Sequence, residues 1–186
     1  MSIKRLTIHS GGALGADSIF GYYGTVNNHK VVHHLHKNQK CYSKHGVLVY
    51  HSDDELIQMR SRLKGVCNIV QKNYPSNENI EKILLRNMFQ IEESEAVVAI
   101  APVVDLAKWV IHGGAGYAVA GARLLNISVY VFDLENHTWF HSPDNTKMLG
   151  PTFSPNVESL PPRITGIGSR EINEAGKQEI VELLTI

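Results

Sequence analysis

This sequence of 186 residues has little net charge, few cysteines and no long apolar segment. Lysine plus arginine and aspartate plus glutamate number 18 each, so the formal net charge is zero. A protein that binds DNA or anionic membranes over a broad surface normally carries a large positive charge. The composition therefore argues against such partners, although it permits a local basic pocket.

Cysteine and apolar runs are equally scarce. The two cysteines, Cys41 and Cys67, have neither metal-ligand spacing nor the pattern of a disulfide framework, as is typical of a reducing compartment. The longest apolar run, Ala96 to Val104, is too short to cross a bilayer. The segment Met1 to Arg5 leads into a predicted strand without the apolar stretch of a signal peptide. We therefore expect a cytoplasmic protein with no membrane partner.

The sequence does contain three glycine-rich segments, each at a predicted junction between a strand and a helix. They are Ser10–Asp17, His112–Gly116 and Gly166–Glu171. In such a turn, free backbone N–H groups and the positive end of the helix dipole converge, which suits an anion such as phosphate. Because parallel strands bring their carboxyl ends to one edge of a sheet, three such turns predict a site for a phosphate-bearing ligand.

Hydrophobic periodicity predicts alternating strands and helices. The continuous apolar run Ala96–Ala101 is typical of a central strand buried on both faces, and Ser52 with Glu55 forms a capping box that opens a helix. Aromatic residues and prolines at 134–162 favour a hairpin or lid, in which Trp139 and Phe140 form the core or, alternatively, a lid that stacks on a base. The predicted strands are 6–8, 30–36, 47–50 at an edge, 96–101, 129–133 and 164–167, and the predicted helices are 16–23, 52–74, one beginning at 76, 116–125 and 171–184.

This alternation predicts an α/β fold, a Rossmann-like parallel sheet with helices on both faces. The length is that of one domain, and nothing in the composition divides residues 1–186.

The turns resemble those of the SLOG superfamily, which includes the DNA-processing protein DprA, the YpsA-like proteins and the LOG phosphoribohydrolases. In DprA-like members a strand ending in Gly-Ser-Arg comes first, and Ser-Gly-Gly-Ala-x-Gly-x-Asp follows after one helix. Here Gly168-Ser169-Arg170 stands near the end of the chain and Ser10–Asp17 near its start. Joining Ile186 to Met1 restores the usual order, which proteins tolerate where the two ends lie close together.

The chain therefore resembles a circularly permuted YpsA-like protein, of the family once described as molybdenum-cofactor carriers. The resemblance implies a single SLOG-like domain over 1–186, with an insertion at about 134–162. In LOG enzymes an Arg before the central strand and a Glu after a Pro-Gly-Gly-x-Gly-Thr turn cleave an N-glycosidic bond. Arg86 falls at a position similar to that Arg, but Ala120 occupies the position of the Glu. Loss of that carboxylate argues against the LOG mechanism and leaves enzymatic activity open.

Each candidate ligand-binding residue also has a purely structural interpretation. Glycines permit tight turns, Asp17 could cap its helix or bind a ribose, and Arg170 could pair with Glu171 or Asp17 or face an anion. The polar stripe that contains Arg86 could simply face solvent. Three concordant turns favour a ligand role for Ser10, Gly11, Gly12, Gly15, Asp17, Arg86, Asn87, Gln90, Gly113, Gly114, Gly116, Gly168, Ser169, Arg170 and Glu171.

Histidine is concentrated in one segment, since six of the ten histidines lie between His29 and His51. His34 and His36 share a strand face, which permits metal chelation. The sequence places no carboxylate or cysteine beside them, so we expect surface or ligand-lining histidines and no metal. Ser10 and Ser169 fit no nucleophile elbow, which argues against a Ser–His–Asp hydrolase.

The resemblance implies binding of a nucleotide or nucleotide-derived small molecule, for example of the ADP-ribose type, that the protein senses, carries or sequesters. SLOG domains are also common in phage–host conflict systems. The alternatives are a LOG-like phosphoribohydrolase, a molybdenum-cofactor carrier and DprA-like binding of single-stranded DNA, against which the zero net charge counts. No resident cofactor is expected, and the small-residue face around 118–121 permits a homo-oligomer.

Overall fold

The computed structural model describes residues 4–144 and 149–185. The predictions for Met1–Ile3 and for residues 145–148 of the insertion lie outside these ranges. The strands are β1 (Thr7–Ser10), β2 (Lys30–His36), β3 (Val47–His51), β4 (Ala96–Ile100), β5 (Val103–Asp105), β6 (Val110–Ile111), β7 (Ser128–Asp133), β8 (Thr138–Ser142), β9 (Leu149–Thr152) and β10 (Arg163–Gly168). The helices are α1 (Ala16–Val26), α2 (Asp53–Gln58), α3 (Arg60–Ile69), α4 (Glu78–Glu92), α5 (Gly113–Leu125) and α6 (Glu174–Leu184).

One eight-stranded sheet organises the described chain, in the order β3-β2-β1-β10-β4-β7-β8-β9. The first six strands in this order run parallel, β8 pairs antiparallel with β7, and β9 pairs antiparallel with β8 at the edge of the sheet. A separate two-stranded hairpin of β5 and β6 follows β4. The α/β, Rossmann-like architecture predicted from the sequence is confirmed.

Helices cover both faces of the sheet. On one face α2, α3, α4 and α5 enclose a core that includes Val97 and Ala99 of β4, and on the other α1 and α6 enclose a core that includes Val98 and Ile100. Successive β4 residues therefore enter opposite cores, and every residue of the strand is buried. This is why the segment is continuously apolar rather than alternating.

The strand order is that of a doubly wound sheet when β10 is counted as the first strand. With β10 as the first strand, β1, β2 and β3 extend the sheet to one side, and β4 and β7 extend it to the other. This is the strand arrangement of a doubly wound sheet, with its switch point between β10 and β4.

The imidazole of His29 connects the two ends of the described chain. Its Nδ1 accepts from the Leu6 backbone N–H at 3.2 Å, so its Nε2 carries the proton and donates to the Leu184 carbonyl, at 2.9 Å. The start of β1 and the end of α6 are thus separated by one ring and two hydrogen bonds, roughly 8 Å.

Several predicted element boundaries are wrong. The single helix at 52–74 is two helices that meet at Met59, where the Met59 N–H bonds the Leu56 carbonyl three residues back, and α3 ends at Ile69 before a left-handed Gln71. The last helix begins at Glu174 rather than 171, because the Asn173 side chain caps it by accepting from the Gly176 N–H.

Two further corrections concern the segments around the candidate site. Helix α5 begins at Gly113 rather than Gly116, so the second glycine segment forms its first turn. The hairpin β5–β6 between β4 and α5 was not predicted. In the insertion, β8 and β9 form the predicted hairpin, but as part of the main sheet, and Trp139 is buried there with its indole N–H donating to Glu179.

Candidate functional site

The first and third glycine turns interlock at the carboxyl edge of the sheet, after the adjacent strands β1 and β10. The Ala16 N–H donates to the Ser169 carbonyl at 3.0 Å, and the Ser169 N–H donates to the Ile100 carbonyl at 2.9 Å. Gly15 has a φ of +92°, and a Cβ there would lie 2.3 Å from the Ser169 carbonyl oxygen. Glycine is required at this position both for the left-handed backbone and for the close approach of the two turns.

The carboxylate of Asp17 occupies the anion position between these two turns. It accepts from the Gly11 N–H at 3.2 Å and from the Gly168 N–H at 3.3 Å, and only 3% of the residue is exposed. Burial raises the pKa of Asp17, against the opposing effects of Arg86 and these backbone N–H groups. Part of the anion-binding capacity predicted for the turns is therefore used by a side chain of the protein itself.

Arg86 of α4 lies directly beneath Gly11. A Cβ on Gly11 would overlap the guanidinium, and Arg86 Nη1 is 3.9 Å from Asp17 Oδ2. Arg86 is 2% exposed, and burial lowers its pKa despite the nearby carboxylate. The oxygen of the Gln90 amide, turned toward the guanidinium, accepts from Nη1. The arginine and its partners form a buried polar cluster that fixes the first turn.

The loop between β2 and β3, residues 37–46, covers the first turn from outside. Gln39 links the two, because its amide nitrogen donates to the Gly11 carbonyl at 2.8 Å and its oxygen accepts from Arg86 Nε at 3.2 Å. The Tyr42 N–H donates to the Gly12 carbonyl at 2.7 Å. The sequence predicted a loop here but gave no signal that it packs on the glycine turn.

The predicted site residues thus divide into an enclosed and an open group. The structure brings the first and third turns together with Arg86, and it leaves the second turn as a separate, open segment. The enclosed residues are Ser10, Gly11, Gly12, Gly15, Asp17, Arg86, Asn87, Gln90 and Gly116. Two residues, Gly168 and Ser169, are half-buried. The exposed residues are Gly113, Gly114, Arg170 and Glu171.

The second glycine turn forms the open amino terminus of α5. Its N-cap residue, His112, makes no side-chain capping bond, and a Cβ placed on Gly113 or Gly114 would meet no atom within 4 Å. Gly113 has a φ of +68°, a left-handed conformation that favours glycine. The first-turn N–H groups of α5 therefore lie at an accessible surface, where the helix dipole favours negative charge.

A cavity of about 390 Å³ adjoins this turn, between the end of α3, the β5–β6 hairpin and α5. Its size is in the range of small-molecule sites. Lys72, Lys108 and Arg123 line it, and none of its lining residues is acidic. Its walls also include the aromatic rings of Trp109 and Tyr117. A cationic cavity with aromatic walls beside a helix amino terminus is suited to an anion that carries a flat ring.

Two cations of the cavity lie over its aromatic rings. The Arg123 guanidinium is 4.6 Å from the Trp109 ring centroid, and the Lys72 ammonium is 5.4 Å from that of Tyr117. Trp109 also has a φ of +61°, which is uncommon for a residue with a side chain and places the indole in the cavity wall at a conformational cost. Sequence reasoning missed these residues, and the one available signal was Trp109 in a short segment between a buried strand and a glycine turn.

The histidines of β2, which we expected at the surface or against a ligand, are buried. His34 and His36 share the face of β2 that packs against α4, but His34 hydrogen-bonds His9 and His51 rather than His36, at 2.9 Å each. The carboxylate of Glu93 lies 3.6 Å from His9 Nδ1. The sequence gave no reason to place β1 and the end of α4 beside His34.

The position that carries the catalytic Glu in LOG enzymes holds Ala120, which is 3% exposed and packs in the core between α5 and the sheet. No carboxylate side chain therefore points from that position toward the turn.

Within residues 4–144 and 149–185, no helix has both the length and the apolar character needed to cross a bilayer.

The fold and the cavity define a Rossmann-like α/β protein with an open site beside a glycine-rich helix start. No family model matches the chain, and the search of curated proteins found no match. Among solved structures, a putative molybdenum carrier protein from Syntrophus aciditrophicus SB is similar to it over 97% of this chain and 92% of that one. The TM-score is 0.54 at 12% sequence identity, so the two proteins share a fold.

Proposed function

We propose that this protein binds a phosphate-bearing nucleotide or nucleotide-derived small molecule in the cavity beside α5. The observation that carries the proposal is the combination of Lys72, Lys108 and Arg123 with the open amino terminus of α5. Phosphate oxygens would accept from the Gly113 backbone and from the cations, and the base would pack against Tyr117, the more exposed of the two rings. Lys108 is partly neutralised by Asp105, 3.4 Å away, so Lys72 and Arg123 contribute most of the positive potential.

This proposal moves the ligand away from the position first expected. The junction of the first and third turns is filled by Asp17 and covered by residues 37–46, whereas the second turn is open. Arg86 accordingly has a positioning role, and the cavity cations take over charge neutralisation. The SLOG resemblance supports a nucleotide as ligand, and we retain the circularly permuted YpsA-like assignment as part of the proposal.

The test is a thermal-shift and calorimetry series with AMP, ADP-ribose, NAD and cyclic nucleotides, with adenosine and inorganic phosphate as matched controls. A ligand at 100 times its Kd should stabilise the fold by about 2.7 kcal/mol. We expect AMP-type ligands to bind and adenosine to bind at least about tenfold more weakly, since it lacks the charge-assisted contacts. Equal affinity for AMP and adenosine, or no binding of any nucleotide, would contradict the proposal.

Lys72→Met is the matching variant, because Lys72 is an exposed residue whose charge faces the cavity. We expect it to weaken AMP binding about tenfold or more, the value of one charge-assisted contact. Lys177→Met is its control, since Lys177 lies on α6, on the opposite face of the sheet. The same reactions, analysed for free base and ribose phosphate, test the hydrolase alternative.

A molybdenum-carrying role is the second candidate. The neighbour with the same fold is named for that function, and a cationic, aromatic-walled cavity also fits a phosphorylated pterin or an oxyanion. Molybdate belongs in the same screen, and its binding in preference to every nucleotide would favour this candidate.

A further inference from the structure

A second group of chemically capable side chains lies under the other half of the sheet, away from the cavity. His9 of β1, His34 of β2 and Glu93 at the end of α4 each place one ligand atom within 4.8 Å of the other two. The closest pair is His9 Nδ1 and His34 Nε2 at 2.9 Å, and Glu93 Oε2 is 3.6 Å from His9 Nδ1. We propose that these three residues bind a divalent transition-metal ion of the zinc type.

The distances fit tetrahedral coordination with small adjustments. Zinc–nitrogen and zinc–oxygen bonds of about 2.0–2.2 Å place neighbouring ligand atoms about 3.3 Å apart. The His9–Glu93 separation of 3.6 Å is slightly larger than this, and the His9–His34 separation of 2.9 Å is slightly smaller. Two imidazoles and a carboxylate suit zinc and its neighbours in the first transition row better than magnesium or calcium.

Both imidazoles are buried, with 3% of His9 and 1% of His34 exposed, so packing holds the two rings in place before an ion binds. Lys30 and Arg163 lie near His9. The nearby cations oppose metal binding, although Arg163 is paired with Glu95 at 3.3 Å.

His51 orients the His34 ring through a hydrogen bond on the side away from His9. Its Nε2 lies 2.9 Å from His34 Nδ1, so the His34 Nδ1–H can donate to it and leave Nε2 free for the metal. The His51 ring is held by stacking on Phe89, with centroids 3.9 Å apart. In this arrangement His51 carries its own proton on Nδ1, a buried atom without a hydrogen-bond partner, and this cost lowers the affinity of the site.

The carboxylate of Glu93 adds a negative charge to the proposed ligand set. Its Oε2 lies 3.6 Å from His9 Nδ1, and it faces an N–H there when the proton shared by His9 and His34 is on His9. A divalent ion between the three atoms would replace this proton. Glu93 is exposed, so an ion can reach the cluster from this side.

The experiment is titration of chelator-treated protein with Zn²⁺ by calorimetry and with Co²⁺ by visible absorption, which reports tetrahedral geometry. We expect saturable 1:1 binding and shifts of the His9 and His34 imidazole resonances on addition of Zn²⁺. Glu93→Gln should weaken binding at least tenfold while the fold is kept, because the side chain is exposed. Glu174→Gln removes an exposed carboxylate on α6, on the opposite face of the sheet, and should change the affinity less than twofold.

His34→Gln should abolish binding, but a buried substitution can also unfold the protein, so Glu93→Gln carries the test. Binding that does not saturate, binding that Glu93→Gln leaves unchanged, or Zn²⁺ binding without any shift at His9 and His34 would each overturn the proposal. The last outcome would indicate adventitious binding by surface histidines. None of the three ligands lines the cavity beside α5, so this test and that of the proposed function fail independently.

Discussion

At the scale of single residues, the central feature is a buried pair of opposite charges used to fasten two turns. Asp17 accepts backbone N–H groups from both turns, and Arg86 fills the space left by the missing side chain of Gly11. Such an arrangement adds little net stability over apolar packing, but removal of one partner leaves the other charge buried and unpaired.

Arg86→Met should therefore lower the free energy of unfolding by about 3–5 kcal/mol. Arg60→Met is the matched control, because Arg60 forms an exposed ion pair with Glu81 and its loss should cost less than about 1 kcal/mol. Chemical denaturation of the three proteins measures both values. Similar losses for the two variants, with a weaker ligand affinity for Arg86→Met, would instead give Arg86 the ligand role first predicted for it.

The sequence predicted which residues belong to the turns but not how they are used. Glycines at strand–helix junctions can be recognised from the sequence alone, because a turn involves only residues that are neighbours in the chain. The burial of Arg86 depends on Gln39 and on the two turns, which come from four separate parts of the chain. Trp109 was missed because its segment has no hydrophobic periodicity. Its left-handed backbone conformation could not be predicted either, since glycine is the residue that normally indicates that conformation in a sequence.

At the scale of elements, α5 explains why one of its glycines is replaceable and another is not. A Cβ on Gly114 would enter open space, whereas a Cβ on Gly116 would lie 2.3 Å from the Ile111 carbonyl oxygen. Both residues are helical, so alanine would be preferred at either position on propensity alone. The close approach of β6 to the helix decides the difference.

Gly114→Ala should accordingly raise the free energy of unfolding by up to about 0.5–1 kcal/mol, through lower backbone entropy of the unfolded chain. Gly116→Ala should lower it, because either the helix or β6 must move. Thermal and urea denaturation of both variants provides the comparison. No gain for Gly114→Ala would mean that the helix starts at Gly116, as its sequence pattern predicted.

At the scale of the whole molecule, one imidazole joins the start of the described chain to its end. His29 accepts from the Leu6 N–H and donates to the Leu184 carbonyl, which only the neutral ring can do. Burial lowers the pKa of His29, with a smaller contribution from Arg5 and opposition from the bond to Leu184. Protonation therefore favours the unfolded state.

Stability that depends on neutral His29 should be complete above the unfolded-state pKa of about 6.5 and should fall as the pH drops below it. The contribution of this single proton is at most about 1.4 kcal/mol per pH unit. We expect the wild-type protein to lose more stability between pH 7 and pH 5 than His29→Gln, measured with a chelator present. The other buried histidines are common to both proteins, so identical pH profiles would contradict the role given to His29.

The closeness of these ends also predicts that the chain can be reopened elsewhere. A permutant that joins Thr185 to Lys4 by a short glycine-serine linker, with new ends between Phe153 and Ser154, places β10 before β1. Phe153 is 94% exposed in the segment between β9 and β10, so the opening cuts little packing. We expect cooperative unfolding and native-like circular dichroism, and a permutant that is unfolded or molten would show that the ends are not interchangeable with a loop.

The position of β10 has a consequence for how the molecule is assembled. This strand lies at the middle of the sheet, between β1 and β4, yet it is the last strand in the chain, and it pairs Thr7 with Arg163. Until it forms, the preceding strands can build only two partial sheets whose inner edges are unpaired. Closure of such long loops is slow, and the exposed edges invite pairing with other chains. We therefore expect the sheet to be completed last at its centre, by β10, and the state that precedes this step to be the one most exposed to aggregation.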